Sequence, residues 1–288
     1  LLALLFFGLT AENLHAQNVN VNPGAGTYPT LKDAFDAINA GTHTGAITID
    51  IVGNTTETLS AVLNASGSGA ASYSSILLRP SGGAARTISG AITGILLDLN
   101  GADNVTIDGL NTGGNSLTIA NTATGASNTI RFIGDASNNT ITKSTLQGSA
   151  SIVSNAVVFF STGTVTGNDN NNINNCDIAP AGANLSVNGI FSLGTSAAID
   201  NSGNTVSTNN IFDYFSATIV SNGISLSTGN SAWTISNNKL YQTAARTYTT
   251  ANTHQGILIS SGVGYSISGN LIGAATSTGT GTYTMTST

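Results

Sequence analysis

The chain has 288 residues, of which 7% are charged and 40% are apolar. Disordered chains combine low hydrophobicity with high net charge, so this composition excludes disorder and predicts a folded protein whose polar groups are mostly hydroxyls and amides. Seven basic against thirteen acidic residues give a net charge of −6 without any cluster of Lys or Arg. This excludes nucleic acid as a partner, because phosphate binding needs a basic face.

The first 16 residues have the features of a secretory signal peptide. Residues 1–9, LLALLFFGL, form an apolar segment that is too short to cross a bilayer as a helix, and a small residue, Ala16, precedes Gln17. We interpret residues 1–16 as the remnant of a signal peptide and 17–288 as a single domain that is secreted, extracellular or at the cell surface. No later segment is apolar enough to be transmembrane.

Residues 27–52 are predicted to form an N-terminal cap. Thr30 and Asp33 have the spacing of a capping box, and an apolar stripe follows at helical spacing, formed by Leu31, Ala34, Phe35 and Ile38. An apolar strand, 46–52, comes next. A helix of this kind can cover the open end of a fold built from stacked repeats.

From residue 105 onward, the sequence repeats about every 32 residues. The central residue of each unit is β-branched, and these residues are Ile107, Ile141, Ile173, Val206, Ile235 and Ile267. An apolar run precedes each centre, and a Leu or Ile follows most of them five residues later, at Leu146, Ile178, Ile211, Leu240 and Ile272. Connections this short cannot hold a crossover helix, so equivalent strands of successive units must pair in parallel. The sequence predicts an all-β fold, a right-handed parallel β-helix with three short strands per coil.

Two positions in the repeat are predicted to be structural. Asn209, Asn238 and Asn270 each follow the central residue by three positions, where we expect an internal ladder of amides. Cys176 holds the same position in an earlier unit and is the only cysteine, so we expect a turn residue without a disulfide. Trp233 and Tyr265 precede the central residue by two positions and should point toward the core.

The chain resembles the right-handed parallel β-helix proteins of the pectin-lyase-like superfamily, in particular the large secreted β-helix proteins of the Bacteroidetes. The resemblance rests on the cap, Tyr28-Pro29-Thr30-Leu31 to Ala34-Phe35, and on repeats such as WTISNNKL at 233–240. It implies the fold and an extracellular location, whereas the function varies among lyases, hydrolases, epimerases, adhesins and stalks. Such proteins often continue into further modules, and no closing cap precedes Thr288, so we expect a fragment truncated at its C-terminus.

Polysaccharide cleavage needs paired carboxylates, or a base with a cation, at one substrate bond. The best cluster is Asp98, Asp103 and nearby Arg131, which are the candidate catalytic residues. Alignment of the repeats places Phe132 opposite Asp98, so the next coil offers no second carboxylate there. We therefore interpret the cluster as turn caps and a solvated ion pair. The glycosidase and lyase motifs associated with the resemblance are missing.

Tyr241 and Tyr248, in a longer loop, are the candidates for contact with a ligand. His43 and His254 are expected to be loop residues, because neither has a second ligand at metal spacing. Asp169 could contribute oxygen ligands, but the sequence predicts no metal site and no cofactor.

The leading hypothesis is a non-catalytic secreted or cell-surface β-helix that acts as an adhesin, a glycan-contacting module or a structural stalk. Its partner would be an extracellular polysaccharide or a cell-surface glycan. The alternative is a polysaccharide lyase or glycoside hydrolase whose catalytic coils are missing or unrecognised. Ice binding is a third hypothesis, but it needs a regular Thr-x-Thr ladder, and the repeats supply Thr only irregularly.

Overall fold

The computed structural model of the chain describes residues 17–24 and 26–287. The predicted signal peptide, residues 1–16, lies outside the described residues. Within these ranges the chain is an all-β parallel solenoid of about eight coils with one short helix near its beginning, as the repeat predicts. No helix in the described part is long and apolar enough to cross a membrane.

Each coil contributes strands to three parallel sheets. Sheet A contains β1 (Gln17–Val21), β2 (Thr44–Ile51), β5 (Ser72–Pro80), β8 (Val105–Asp108), β11 (Thr140–Thr142), β14 (Asn172–Asn174), β18 (Thr205–Ser207), β22 (Thr234–Ser236) and β26 (Ser266–Ser268). Sheet B contains β3 (Thr55–Glu57), β6 (Ala85–Gly90), β9 (Ser116–Gly125), β12 (Ser144–Ala150), β15 (Asp177–Pro180), β19 (Asn210–Phe212), β23 (Lys239–Tyr241) and β27 (Leu271–Ala274).

Sheet C completes the coil. It contains β4 (Ala61–Asn64), β7 (Gly94–Asn100), β10 (Ser127–Ile133), β13 (Val158–Phe160), β16 (Asn188–Ser192), β20 (Ser221–Leu226) and β25 (His254–Ile259). Two short pairs lie in the connections, β17 (Asn201–Ser202) with β21 (Asn230–Ser231) and β24 (Arg246–Tyr248) with β28 (Met285–Ser287). With nine strands stacked in sheet A at about 4.8 Å each, the solenoid is about 38 Å long.

The register between coils confirms the predicted repeat. Ile141 lies opposite Ile107 in the preceding coil and Ile173 in the next. The same column continues through Val206, Ile235 and Ile267. The members up to Ile235 are fully buried, and burial of each such side chain contributes about 1.5–3 kcal/mol to stability. A second column in sheet B joins the predicted downstream residues, Leu146, Ile178, Ile211, Leu240 and Ile272.

The solenoid begins earlier than the repeat indicates. Ile49, Leu78 and Ile107 stack at intervals of 29 residues, and β2 pairs with strands on both of its sides. The strand predicted as part of the cap is therefore a regular strand of the solenoid. The repeat pattern does not reveal these early coils, because β2 and β5 are long strands without the Asn that follows the centre of later units.

The N-terminal end of the solenoid is covered by α1, Leu31–Asn39. As predicted, Thr30 is the N-cap: its hydroxyl accepts a hydrogen bond from the N–H of Asp33 at 3.1 Å. The predicted apolar stripe, Leu31, Ala34, Phe35 and Ile38, is buried. The carboxylate of Glu57 adds a contact that the sequence did not indicate, because it accepts the main-chain N–H groups of Leu31 and Lys32, both at 3.0 Å. An anion at this end of a helix is stabilising.

The predicted amide ladder is present inside the coils. The main-chain N–H and the side-chain amide of Asn209 both donate to Oδ1 of Asn238 at 3.0 Å, and Asn238 does the same to Asn270 at 3.0 and 2.9 Å. Cys176 begins this column, since its N–H donates to Oδ1 of Asn209 at 2.9 Å. Burial raises the pKa of its thiol to about 12, so the cysteine is a structural residue as predicted.

Two further amide columns were not predicted. One joins Asn139, Asn171 and Asn204, and the other joins Asn168 and Asn201. The first column occupies the position two before the central residue, where later coils carry the predicted Trp233 and Tyr265. Trp233 is fully buried and packs edge-on against Phe160, and Tyr265 is partly buried against the same core.

Candidate functional site

The predicted acid–base cluster contains an ion pair on the outside of sheet C. Asp98 and Arg131 lie opposite each other, and Nε and Nη2 of Arg131 donate to the two carboxylate oxygens at 3.0 and 2.6 Å. Leu97 and Leu99 beside Asp98 are fully buried, so strand alternation turns Asp98 outward. The prediction that Phe132 lies opposite Asp98 is wrong by one residue, because Phe132 lies opposite Leu99 in the core. A shift of one residue exchanges the two faces of a strand.

The predicted ion pair of Asp98 with Arg131 is present, but it is largely shielded from solvent and not solvated as expected. Asp98 lies in β7, and its side chain is only 8% exposed because Arg131, itself 25% exposed, packs over it. In the next two coils Phe159 and Phe191 continue the column, and their rings stack with centroids 5.6 Å apart. This face therefore presents a neutralised ion pair next to two aromatic rings.

Asp103 has a partner of its own in the turn that follows sheet C. Its carboxylate accepts the main-chain N–H of Ser137 at 2.7 Å, and burial raises its pKa. Asp169 accepts the N–H and the hydroxyl of Ser202 at 2.7 and 3.0 Å. Within 17–24 and 26–287, no group of three or more His, Cys, Asp or Glu is arranged to hold a metal ion.

The two tyrosines predicted to contact a ligand lie on strands, not in a loop. Tyr241 ends β23, is 5% exposed and stacks on Phe212 with ring centroids 5.0 Å apart. Tyr248 ends β24, and its ring packs against Phe215 at 5.1 Å. One side of Tyr248 forms a wall of a cavity. Of the two, Tyr248 therefore lines a space that a ligand can enter.

His254 is the first residue of β25, so the prediction of a loop residue is wrong. Its imidazole stacks on Tyr214 with ring centroids 4.8 Å apart, and Tyr283 meets it edge-on at 5.7 Å. Its Nδ1 lies 2.9 Å from the hydroxyl oxygen of Ser221. Burial and the positive charge of Arg246 lower the pKa of His254 to about 4, so the imidazole is neutral near pH 7.

A partly buried hydrogen-bond network holds the residues around His254. Arg246 donates to the carboxylate of Asp213 and, through Nε, to Oε1 of Gln242 at 2.8 Å. Thr243 donates its N–H and its hydroxyl to the same carboxylate at 2.8 and 2.6 Å. Nε2 of Gln242 lies 3.5 Å from Nε2 of His254. The charge of Arg246 is thus compensated inside the protein, and the position of the imidazole is fixed.

The cavity beside His254 has a volume of about 360 Å³. Its lining consists of Tyr248, Asn252, His254, Tyr283, Met285, Thr286 and Ser287. Because His254 is neutral near pH 7, no side chain of this lining carries a charge there. Aromatic rings beside amide and hydroxyl groups suit a small uncharged ligand that has both apolar faces and hydroxyl groups. We call this space the His254 cavity.

His254, Tyr283 and the Asp213–Arg246 pair were not predicted as site residues from the sequence. The available signal was the length of the connections in the last two coils, which run from 242 to 253 and from 275 to 284. Connections at equivalent places in successive coils must lie side by side, as the pairing of β24 with β28 shows. The aromatic residues in these connections could therefore have been placed together from the sequence.

The outer face of sheet A lacks the regular ladder that ice binding needs. One outward column reads Thr106, Thr140, Asn172, Thr205, Thr234 and Ser266, and the other reads Asp108, Thr142, Asn174, Ser207, Ser236 and Ser268. In these six coils, Thr stands at both positions in one coil, that of Thr140 and Thr142.

No family model matches the chain, and no curated protein matches it significantly. Among solved structures it is similar to a pectin methylesterase from Aspergillus niger in deglycosylated form, at 15% identity over 88% of this chain and 87% of that one, with a TM-score of 0.40. It is also similar to ORF18 of Geobacillus virus E2, at 11% identity over 88% of this chain and 60% of that one, with a TM-score of 0.41. Similarity this low assigns neither a family nor an activity.

Proposed function

We propose that this chain is a non-catalytic, secreted or cell-surface β-helix that binds a neutral glycan, and that the His254 cavity is the binding site. The observation that carries the proposal is the lining of the cavity, in which aromatic rings and uncharged polar groups lie together. Sugars present apolar C–H faces to aromatic rings and hydroxyl groups to amides and hydroxyls.

The aromatic wall supports this proposal first. Tyr283 meets His254 edge-on, and Tyr248 packs against Phe215, so both tyrosine rings are held by neighbours. Rings that are fixed before a ligand arrives lose little side-chain entropy on binding. The volume of about 360 Å³ lies in the lower part of the range of ligand sites and suits one sugar ring at the end or the side of a chain.

The electrostatics of the cavity support an uncharged ligand. The Arg246 guanidinium is paired with Asp213, and His254 is neutral near pH 7 because its pKa is lowered to about 4. An acidic sugar would find no compensating cation in the lining and would lose hydration, which is unfavourable. We therefore expect neutral polymers to bind and uronate polymers to bind more weakly.

The test is a panel of neutral and acidic polysaccharides from plants, algae and microbes, on which protein retention and release of new chain ends are measured in the same samples. We expect retention on at least one neutral polymer without release of chain ends. Tyr283→Ala should reduce retention at least tenfold, since loss of one stacking face and its contacts removes more than about 1.4 kcal/mol. Tyr265→Ala is the matched control, because this partly exposed ring lies outside the lining.

A second function, polysaccharide cleavage, is favoured by one observation. The outward pair of Asp98 and Arg131 lies beside the stacked rings of Phe159 and Phe191, which is a surface that a glycan chain can contact. The carboxylate would need to leave its bidentate partner before it could act as a base. Release of chain ends that is lost in Asp98→Asn would establish this function and contradict the non-catalytic proposal.

A further inference from the structure

A second cavity lies on the same edge of the solenoid as the His254 cavity, where the chain passes from sheet B to sheet C. Its volume is about 320 Å³, and the residues of its lining lie between 124 and 217. They belong to the coils of β9, β12, β15 and β19, and each of these strands pairs with a strand on both of its sides. The cavity is therefore formed in the middle of the solenoid. We call it the Phe215 cavity.

The lining of the Phe215 cavity combines apolar side chains with uncharged polar groups. Leu185, Val187 and Phe215 supply apolar surface, whereas Thr124 and Asn184 supply a hydroxyl and an amide. These two polar side chains are exposed and make no hydrogen bond within the part of the chain that the structure describes. No residue of the lining is ionisable. This mixture suits the C–H faces and the hydroxyl groups of a neutral sugar.

Two aromatic rings in contact separate the two cavities. Phe215 lines one cavity, Tyr248 lines the other, and their ring centroids are 5.1 Å apart. The carbonyl oxygen of Ala217, in the lining of the Phe215 cavity, accepts the main-chain N–H of Thr249 at 2.9 Å, which joins the two connections. Connections at this edge belong to successive coils that rise by about 4.8 Å each. The cavities are therefore neighbours in a row parallel to the solenoid axis.

We propose that the Phe215 cavity is a second subsite for the glycan that binds in the His254 cavity. The ligand is then an extended neutral chain that runs along the solenoid axis and crosses the wall formed by Phe215 and Tyr248. This inference rests on the proposed function, because it adds a subsite to the same site. A ligand held at two linked subsites binds more tightly than a ligand held at one of them. Long oligosaccharides are therefore better ligands than short ones.

The test uses linear oligosaccharides, from disaccharide to octasaccharide, prepared from each neutral polymer of the panel, and their dissociation constants are measured by calorimetry. We expect the affinity to rise about tenfold once the chain is long enough to reach both cavities. Ala183→Trp places a large ring in the lining of the Phe215 cavity and should remove this rise without weakening the disaccharide. Ala70→Trp, in another exposed loop outside both linings, is the matched control.

Methyl NMR signals locate the ligand independently of affinity. The signals of Leu185 and Val187 should shift with the octasaccharide and stay unchanged with the disaccharide.

This inference alone is overturned if the disaccharide binds in a manner that depends on Tyr283 but longer chains bind no more tightly. It is also overturned if Ala183→Trp leaves the affinity for the octasaccharide unchanged. If no oligosaccharide binds in a manner that depends on Tyr283, the proposed function fails and this inference fails with it. The disaccharide therefore distinguishes the two failures.

Discussion

The buried amide columns give the sharpest prediction about stability. Asn171 is 1% exposed, and its Oδ1 accepts from the main-chain N–H and the amide of Asn139, both at 3.0 Å. Its own amide donates to the carbonyl oxygen of Ala136 at 2.9 Å and to Oδ1 of Asn204 at 3.1 Å. Asn171→Ala would leave the main-chain N–H of Asn139 and the carbonyl oxygen of Ala136 without a recorded partner. It would also remove one of two hydrogen bonds from the Asn139 amide and from Oδ1 of Asn204, which keep those to Ala102 and to the main-chain N–H of residue 171.

Each buried polar group left unsatisfied costs about 1–3 kcal/mol, although neighbouring groups relax and the costs do not add fully. We expect Asn171→Ala to lower the free energy of unfolding by about 3–5 kcal/mol, measured by urea denaturation. Asn184→Ala is the matched control, since this side chain is exposed in a loop, and we expect a change within about 0.5 kcal/mol. If the two substitutions changed the free energy of unfolding by the same amount, the amide columns would not be a main source of stability between coils.

Three further predictions concern single residues. Ile235→Asp should abolish folding, because it buries a charge in the central column, and near-normal thermal unfolding of this variant would show that the register is wrong. Asp135→Asn should destabilise the fold by about 1–2 kcal/mol at pH 7, since the carboxylate accepts hydrogen bonds from the 164–167 loop and is partly solvated. Burial raises the pKa of Asp135, but these hydrogen bonds lower it by more, so the pKa in the folded protein lies below the unfolded value of about 4. The stabilising contribution of the carboxylate is therefore present above that value and is lost as the pH falls below it. Urea titrations of both proteins at pH 7 and pH 3 should show that the difference in their free energies of unfolding is smaller at pH 3. Cys176 should resist thiol reagents in the folded protein and react in urea, because its thiol is buried and its pKa is raised to about 12.

Much of the fold could be predicted because a solenoid repeats its information. Ile107, Ile141 and Ile173 occupy equivalent positions in successive coils. Once this position is recognised in the sequence, it predicts which sheet the residue lies in, which residues it stacks on and that it is buried. The cap helix was equally accessible, since Thr30, Asp33 and the apolar stripe are local signals. The early coils were missed because their 29-residue spacing lacks the Asn that marks later units.

The site was harder to predict because it depends on connections whose lengths vary. Asp98 and Arg131 were correctly named together, but a register wrong by one residue placed Phe132 opposite Asp98 and obscured the ion pair. His254 was taken for a loop residue because a lone histidine carries no local signal. Its contacts with Tyr214, Tyr283 and Ser221 arise from three different segments of the chain.

The most direct test of the proposed function is an equilibrium titration of the protein at pH 7 with oligosaccharides of the neutral polymer that retains it, with chain ends counted in the same sample. The account predicts saturable binding that is at least tenfold weaker in Tyr283→Ala, is unchanged in Tyr265→Ala and produces no new chain ends. Binding that is indifferent to Tyr283→Ala would place the site elsewhere, and new chain ends would show that the protein is an enzyme.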